Sequence, residues 1–172
     1  VNDDDAETRS FLAYDADQKI TYGFGDQNSI RGKIVKSSLS ENVLKISGED
    51  DITIELKNGG PFVLENALAA MAVAHSLGID ISIAKQALEA GSLIPGRFEV
   101  VSENPYIIVD YAHTVAAVEK ILSFVRHQWN GTIIHVFGAA GGGRDKWKRQ
   151  KLAELSEKYT DFCILTEENS FD

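Results

Sequence analysis

Cysteine is close to absent from this chain: Cys163 is the only one in 172 residues. That excludes a disulfide framework within the chain. A single thiol inside the apolar run Asp161-Phe162-Cys163-Ile164-Leu165 reads as a small buried hydrophobe. Cys/His spacings of the metal-binding kind are missing, and so is the Gly-x-Ser-x-Gly elbow of a serine hydrolase. No apolar stretch approaches the length of a membrane span. No basic cluster offsets the net charge of −9, so neither nucleic acid nor an anionic membrane is an expected partner. The opening Val1-Asn2-Asp3-Asp4-Asp5 is not a signal peptide, and a cytoplasmic location is the expectation. The chain has no initiator methionine and halts just after an apparent strand, so it is expected to be part of a longer protein. Repeats and low-complexity segments are absent too.

What is present is the composition of a soluble globular protein, 44% hydrophobic and 25% charged, long enough to bury a core without staples. The first sixty residues read as short strands at 19–23, 30–35, 43–47 and 52–56, each bounded by Gly, Asn, Asp or Ser. Gly59-Gly60-Pro61 closes this section. Helical spacing then puts Leu64, Leu68, Met71, Ala72 and His75 on one face of a helix over 64–77, which Gly78 stops. Asp80 or Ser82 caps a second helix, 83–90, ending at Gly91. A boundary falls near residues 92–96. Beyond it strands at 98–102, 106–110, 132–137 and 162–166 alternate with helices at 115–127 and 145–159. The expected class is α/β: short strands plus helices over 1–94, then a partial Rossmann-like parallel sheet over 95–172. In such sheets ligands lie beyond the carboxyl ends of the strands.

Two strand ends carry dense polar clusters. In Asp110-Tyr111-Ala112-His113-Thr114, a strand delivers Asp110 to the sheet edge and Thr114 can cap the next helix. The carboxylate can accept hydrogen bonds from ribose hydroxyls, and the neutral imidazole can stack or donate. A plain Asp turn with a helix cap accounts for the same residues. The second cluster runs from Gly138-Ala139-Ala140-Gly141-Gly142-Gly143 into Arg144-Asp145-Lys146-Trp147-Lys148-Arg149. Glycines let backbone N–H groups approach an anion, the helix start favours negative charge, and Arg144, Lys148 and Arg149 add cationic donors. A flexible turn with a solvated basic face is the alternative. The cluster is not a Walker loop, since no Gly-x-x-x-x-Gly-Lys-Ser/Thr occurs in the chain, and it lacks dinucleotide-fingerprint spacing. Arg97, in Pro95-Gly96-Arg97-Phe98-Glu99, could reach a ligand held between domains or form a surface ion pair. Asn66, near the start of the first long helix, is either exposed or a cap, or its amide reads an adenine edge. His75 and His135 sit in apolar contexts and read as core or subcore residues rather than ligands, and His127 as a partner of a helix C-terminus.

Taken in order, Asn66-Ala67-Leu68-Ala69-Ala70, Pro95 to Glu99, Asp110 to Thr114, and Val136-Phe137-Gly138 through Arg149 resemble the Mur ligases of peptidoglycan synthesis. The most similar branch is the one that adds the third residue to UDP-N-acetylmuramoyl-L-alanyl-D-glutamate. Asp-Tyr-Ala-His-Thr discriminates most, and Val1-Asn2-Asp3-Asp4-Asp5 resembles a segment of the family's central domain. The resemblance implies that residues 1–94 end a central ATP-binding domain and that 95–172 begin a C-terminal one. It implies ATP and Mg2+ as cofactors, and a UDP-N-acetylmuramoyl-peptide and an amino acid as partners. It also implies an acyl phosphate that an incoming amine converts to an amide. Asn66 would contact adenine, Arg97, Asp110 and His113 would line the nucleotide pocket, and Arg144 and Lys148 would face phosphate. Arg149 and Asn169 would meet the substrate amino acid. No catalytic residue and no metal ligand is assigned to this chain, and alone it is expected to be inactive.

The chain departs from the family pattern at Val63, Val115 and Gln150, where Asn, Pro and Pro are usual. The Asp-Asn-Pro-Arg motif of the diaminopimelate enzymes falls on Glu168-Asn169-Ser170-Phe171, where only Asn169 matches, so diaminopimelate is not the expected substrate. Three other readings remain: a cyanophycin- or polyglutamate-type ligase, a non-catalytic nucleotide- or anion-binding module, and a plain interaction domain.

Overall fold

Alternation in the first sixty residues builds a four-stranded sheet with one apolar face. The computed structural model describes residues 1–47, 51–91, 94–138 and 146–167. Its strands are β1 (Tyr22–Gly23), β2 (Ile30–Ser37), β3 (Asn42–Ser47) and β4 (Ile52–Leu56), in the spatial order β1-β2-β3-β4. β1 runs parallel to β2, and the other neighbours are antiparallel. In β3 the alternation is clean: Asn42, Leu44 and Ile46 are buried and their neighbours are not. A register shift between Ile34 and Lys36 bulges β2, the kind of irregularity that discourages further strand pairing along an edge. A short helix, α1 (Thr8–Leu12), precedes the sheet. It was not expected from the sequence, because five residues are too few to show periodicity. It is pinned by the Thr8 hydroxyl, which donates to the Asn2 and Asp5 carbonyls.

The sheet's apolar face is covered by α2 (Pro61–Ser76) and joined by α3 (Ile81–Ala90). The stripe Leu64, Ala67, Leu68, Met71, Ala72 packs on Ile30, Leu44, Ile46, Ile54 and Leu56. Helix and sheet come close at Gly32, where an added Cβ would lie 2.7 Å from Leu68 Cδ1. Asp80 caps α3 as expected, its carboxylate accepting from the Ser82 amide at 2.7 Å. α2 begins at Pro61, so Asn66 lies in its second turn, exposed as one reading had it and not a cap. The buried stripe ends at Ala72, and His75 is exposed rather than in the core.

Strands β5 (Glu99–Glu103) and β6 (Tyr106–Val109) form an antiparallel hairpin. Residues 1–109 make one compact unit and 110–172 a second. In the second unit α4 (Val115–Gln128), β7 (Ile134–Phe137), α5 (Trp147–Tyr159) and β8 (Phe162–Leu165) follow in turn. β7 and β8 pair in parallel, a second parallel pair among the described strands besides β1 and β2. Val118 and Leu122 of α4 bury against Leu152 and Leu155 of α5. All four residues of β8 are exposed. Cys163 is among them, against the expectation of a buried thiol: the two helices gather their apolar residues with Phe137 of β7 and leave β8 uncovered. No described helix is long and apolar enough to cross a membrane.

Candidate functional site

The sequence-derived site residues are positioned within each compact unit. In the first, Asn66 is an exposed residue of α2, one turn past its start. The loop before that helix is held from below. Asn42, fully buried, donates its amide to the Asn58 carbonyl at 2.7 Å and the Gly60 carbonyl at 2.9 Å. Gly60 takes φ +89° at the helix boundary, a conformation that only glycine adopts without strain.

Arg97 sits in a tight turn whose sequence explains its geometry. Pro95 and Gly96 are the two central residues that a type II turn prefers. Gly96 has φ +69°, and the Arg97 amide closes the turn on the Ile94 carbonyl at 3.1 Å. Glu99 braces it, accepting from the Gly96 amide at 2.7 Å. Arg97 is exposed, while Phe98 beside it is 1% exposed.

In the second unit the strand end forms the Asp turn with a helix cap that the sequence allowed. The Asp110 carboxylate accepts from the Ala112 amide at 2.7 Å. Thr114 caps α4 by accepting from the Ala117 amide at 3.3 Å. His113 is exposed, its Nδ1 lying 3.1 Å from the Tyr111 carbonyl, and its ring meets Tyr111 edge-on at 5.1 Å. Ala112 and Val115 pack on the same cluster as Leu152 of α5 and Phe137 at the end of β7. The turn and the start of the glycine-rich stretch are therefore seated on one small core. Lys148 is partly covered and Arg149 exposed in the first turn of α5. Arg144 and Asn169 lie outside the described residues.

Two residues that sequence reasoning passed over organise this unit. Arg126 donates to the Tyr159 carbonyl at 2.8 Å, the Gly131 carbonyl at 3.3 Å and the Asp161 carboxylate at 2.7 Å. Asp161 also accepts from the Ile133 amide at 2.8 Å, and that bond, with the guanidinium, holds its carboxyl below the usual range. The signal in the sequence was slight: a cation in a helix's last turn and an acid just before a strand. His135 behaves as the expected subcore residue. It stacks on Phe137 at 4.4 Å, its Nδ1 lies 2.6 Å from the Ser156 hydroxyl, and burial lowers its pKa.

Among the described residues no group of three or more His, Cys, Asp or Glu could hold a metal ion. A depression of about 530 Å³ on the first unit is lined by residues such as Arg31, Lys33, Lys45 and Ser47 and contains none of the sequence-derived site residues. The first unit offers an amide and an exposed guanidinium at Asn66 and Arg97, and the second a carboxylate, an imidazole and cations at Asp110, His113, Lys148 and Arg149, each set of a kind that can pair with the polar edges of a nucleotide.

Residues 96–172 match the family model described as Mur ligase, glutamate ligase domain. The chain belongs to the Mur ligase family. It is 38% identical, over 98% of its length, to a UDP-N-acetylmuramoyl-L-alanyl-D-glutamate--2,6-diaminopimelate ligase of Caldanaerobacter subterraneus subsp. tengcongensis. It is 40% identical, over 74% of its length, to a UDP-N-acetylmuramyl-tripeptide synthetase of Deinococcus radiodurans. The chain spans only 35% and 26% of these two relatives. In fold it superposes on the UDP-N-acetylmuramoylalanyl-D-glutamyl-2,6-diaminopimelate--D-alanyl-D-alanyl ligase of Acinetobacter baumannii with a TM-score of 0.77 at 20% identity, covering 98% of this chain and 38% of that one. The α/β class expected from the sequence is thus that of Mur ligase structures.

Proposed function

We propose that this chain forms part of an ATP-dependent ligase that joins an amino acid to a UDP-N-acetylmuramoyl peptide in peptidoglycan synthesis. Residues 1–94 would end the central ATP-binding domain and 95–172 would begin the C-terminal one. The observation that carries the reading is the Asp110-Tyr111-Ala112-His113-Thr114 turn. It is the family's most discriminating string, and here it is built around a carboxylate fixed by the Ala112 amide and a helix capped by Thr114.

Bound ATP would supply the phosphoryl group that activates the substrate carboxylate. The chain's own residues would bind and orient. The Asn66 side chain, exposed on α2, can donate to and accept from an adenine edge. Asp110 can accept from ribose hydroxyls, and His113 can stack or donate. Arg97, Lys148 and Arg149, with Arg144, would balance charge on phosphate or carboxylate oxygens. Asn169 would face the incoming amino acid. Mg2+ would neutralise charge on the phosphate oxygens, and none of the described residues is assigned to hold it. Residue 171 is Phe where the diaminopimelate enzymes carry a carboxylate-binding Arg, so the proposed amino acid is one other than diaminopimelate.

The test is an amide-ligation assay on the gene product that contains these residues, with UDP-N-acetylmuramoyl dipeptide, ATP, Mg2+ and a panel of amino acids. Release of ADP and phosphate that depends on one amino acid is the expected result. Asp110→Ala or Lys148→Ala should lower kcat/KM by about tenfold or more, the scale of one charged hydrogen bond. Absence of amide formation with every amino acid, or unchanged kinetics in both variants, would overturn the proposal. The 172-residue chain by itself should form no amide.

A further inference from the structure

We infer that Phe98 is a positioning residue that fixes Arg97 relative to the helix carrying Asn66, a role that rests on the nucleotide-binding reading above. Phe98 has φ +48°. It is the described non-glycine residue in the left-handed region, where a bulky side chain is strained. Strain of this kind persists only where the surroundings over-determine it, and it gathers at functional sites. The surroundings here are specific. The Phe98 ring is 1% exposed and lies against Gly60, where a Cβ would approach its Cγ to 2.9 Å. It meets the Phe62 ring at a centroid distance of 6.1 Å. Gly60 and Phe62 are the N-cap and second residue of α2, the helix that presents Asn66 one turn later.

The consequence is a rigid path between two candidate ligand groups. Asn42 holds the Gly60 carbonyl from inside the core, Gly60 leaves room for the ring, and the ring holds the turn. The left-handed backbone at Phe98 turns its own side chain inward while Arg97 stays exposed. Gly96 and Glu99 close the turn on the other side. An extended residue 98 would alter the direction in which residue 97 leaves the turn. Phe98 acts through Arg97 and is assigned no contact with ligand.

The test uses ADP binding, by isothermal titration, to the gene product that contains these residues, together with 15N relaxation of the Arg97 amide without ligand. Arg97→Ala should weaken ADP binding by about tenfold. Phe98→Gly, which permits the backbone conformation without enforcing it, should weaken binding to a similar extent and raise Arg97 mobility. The double variant should be no weaker than Arg97→Ala, and Phe98→Leu should restore most of the affinity. Should Phe98→Gly fail to fold, Phe62→Ala loosens the same seat and should raise Arg97 mobility. Additive losses in the double variant, or an Arg97 amide as rigid in Phe98→Gly or Phe62→Ala as in the parent, would overturn the inference. If the parent protein does not bind ADP, or Arg97→Ala binds it unchanged, the nucleotide-binding reading fails; the relaxation data still decide whether Phe98 orders Arg97.

Discussion

The two compact units use similar residues to different ends. In the first, ten buried residues from three strands and one helix form a closed layer, with Leu44, Ile46, Ile54, Leu64 and Leu68 at 0% exposure. In the second, the buried cluster is four residues from α4 and α5, and Ile134, Val136, Phe162, Ile164 and Leu165 of the parallel ladder are exposed. Those strand sequences are as apolar as β3 and β4. An apolar strand is therefore not by itself a buried strand: what lies on its faces decides, and parallel ladders need cover on both. Stability in the first unit rests on area removed from water. The second leans more on polar clamps, with Arg126 and Asp161 tying the end of α4 to the loop before β7 and the end of α5.

The largest effects are expected from truncating each core equally. Leu68→Ala should destabilise the first unit by about 3 kcal/mol, the usual range for a fully buried leucine. Chemical denaturation followed by NMR should show second-unit resonances unmoved, and their joint loss would mean the units do not fold independently. Leu152→Ala removes a similar area from a cluster less than half as large. It should unfold the second unit at low denaturant and leave first-unit resonances in place.

Smaller effects sharpen the contrast. Gly96→Ala meets no neighbour within 4 Å, so its effect is pure backbone strain at φ +69°, about 1–2 kcal/mol. It should lower the first unit's midpoint without a cavity signature. Thr114→Ala removes the α4 cap at a cost of about 1 kcal/mol, visible as faster amide exchange at Ala117 and its neighbours.

The smallest expected effect separates the units by pH. Burial lowers the His135 pKa below its ordinary 6.5, so the unfolded state binds the proton first as pH falls. Second-unit stability should be level above about pH 6.5, decline below it, and level off once the folded imidazole also takes the proton. His135→Gln should flatten that decline, and a slope unchanged by the substitution would assign it elsewhere. Further down, Asp161 adds a loss as pH falls through its depressed folded value, because its charged form is the one bonded to Arg126 and Ile133.

Much of the fold was legible in the chain because local rules applied. Strand β4 and the end of α3 fall where alternation, helical spacing and glycine placed them, and Asp80 and Thr114 cap the helices they precede. Helix α1 was not legible, because five residues show no repeating pattern and it is pinned by short-range bonds from Thr8 to the Asn2 and Asp5 carbonyls. The burial of single residues was read less well. His75 lies at the right phase of α2 but beyond the last buried position, and Cys163 lies in an apolar run that is left uncovered. The strand expected over 106–110 as part of the parallel sheet is β6, which pairs antiparallel with β5, since alternation specifies a strand and not its partner. At the candidate site, residue types and order were legible, while the anchoring residues Phe98, Asn42 and Arg126 were not. Each acts through contacts distant in sequence, and none has an unusual neighbour pattern.

By itself, then, the sequence determined most of the helices and strands, where caps and tight turns fall, and which short strings ally the chain with the Mur ligases. Periodicity, proline, glycine and side-chain oxygens act within a few residues of themselves. Only the tertiary structure decided which apolar residues are removed from water, which strands pair, and how Arg97 is held. Those outcomes depend on surfaces meeting across dozens of residues, as the Phe98 ring meets Gly60, and no local pattern encodes such a meeting.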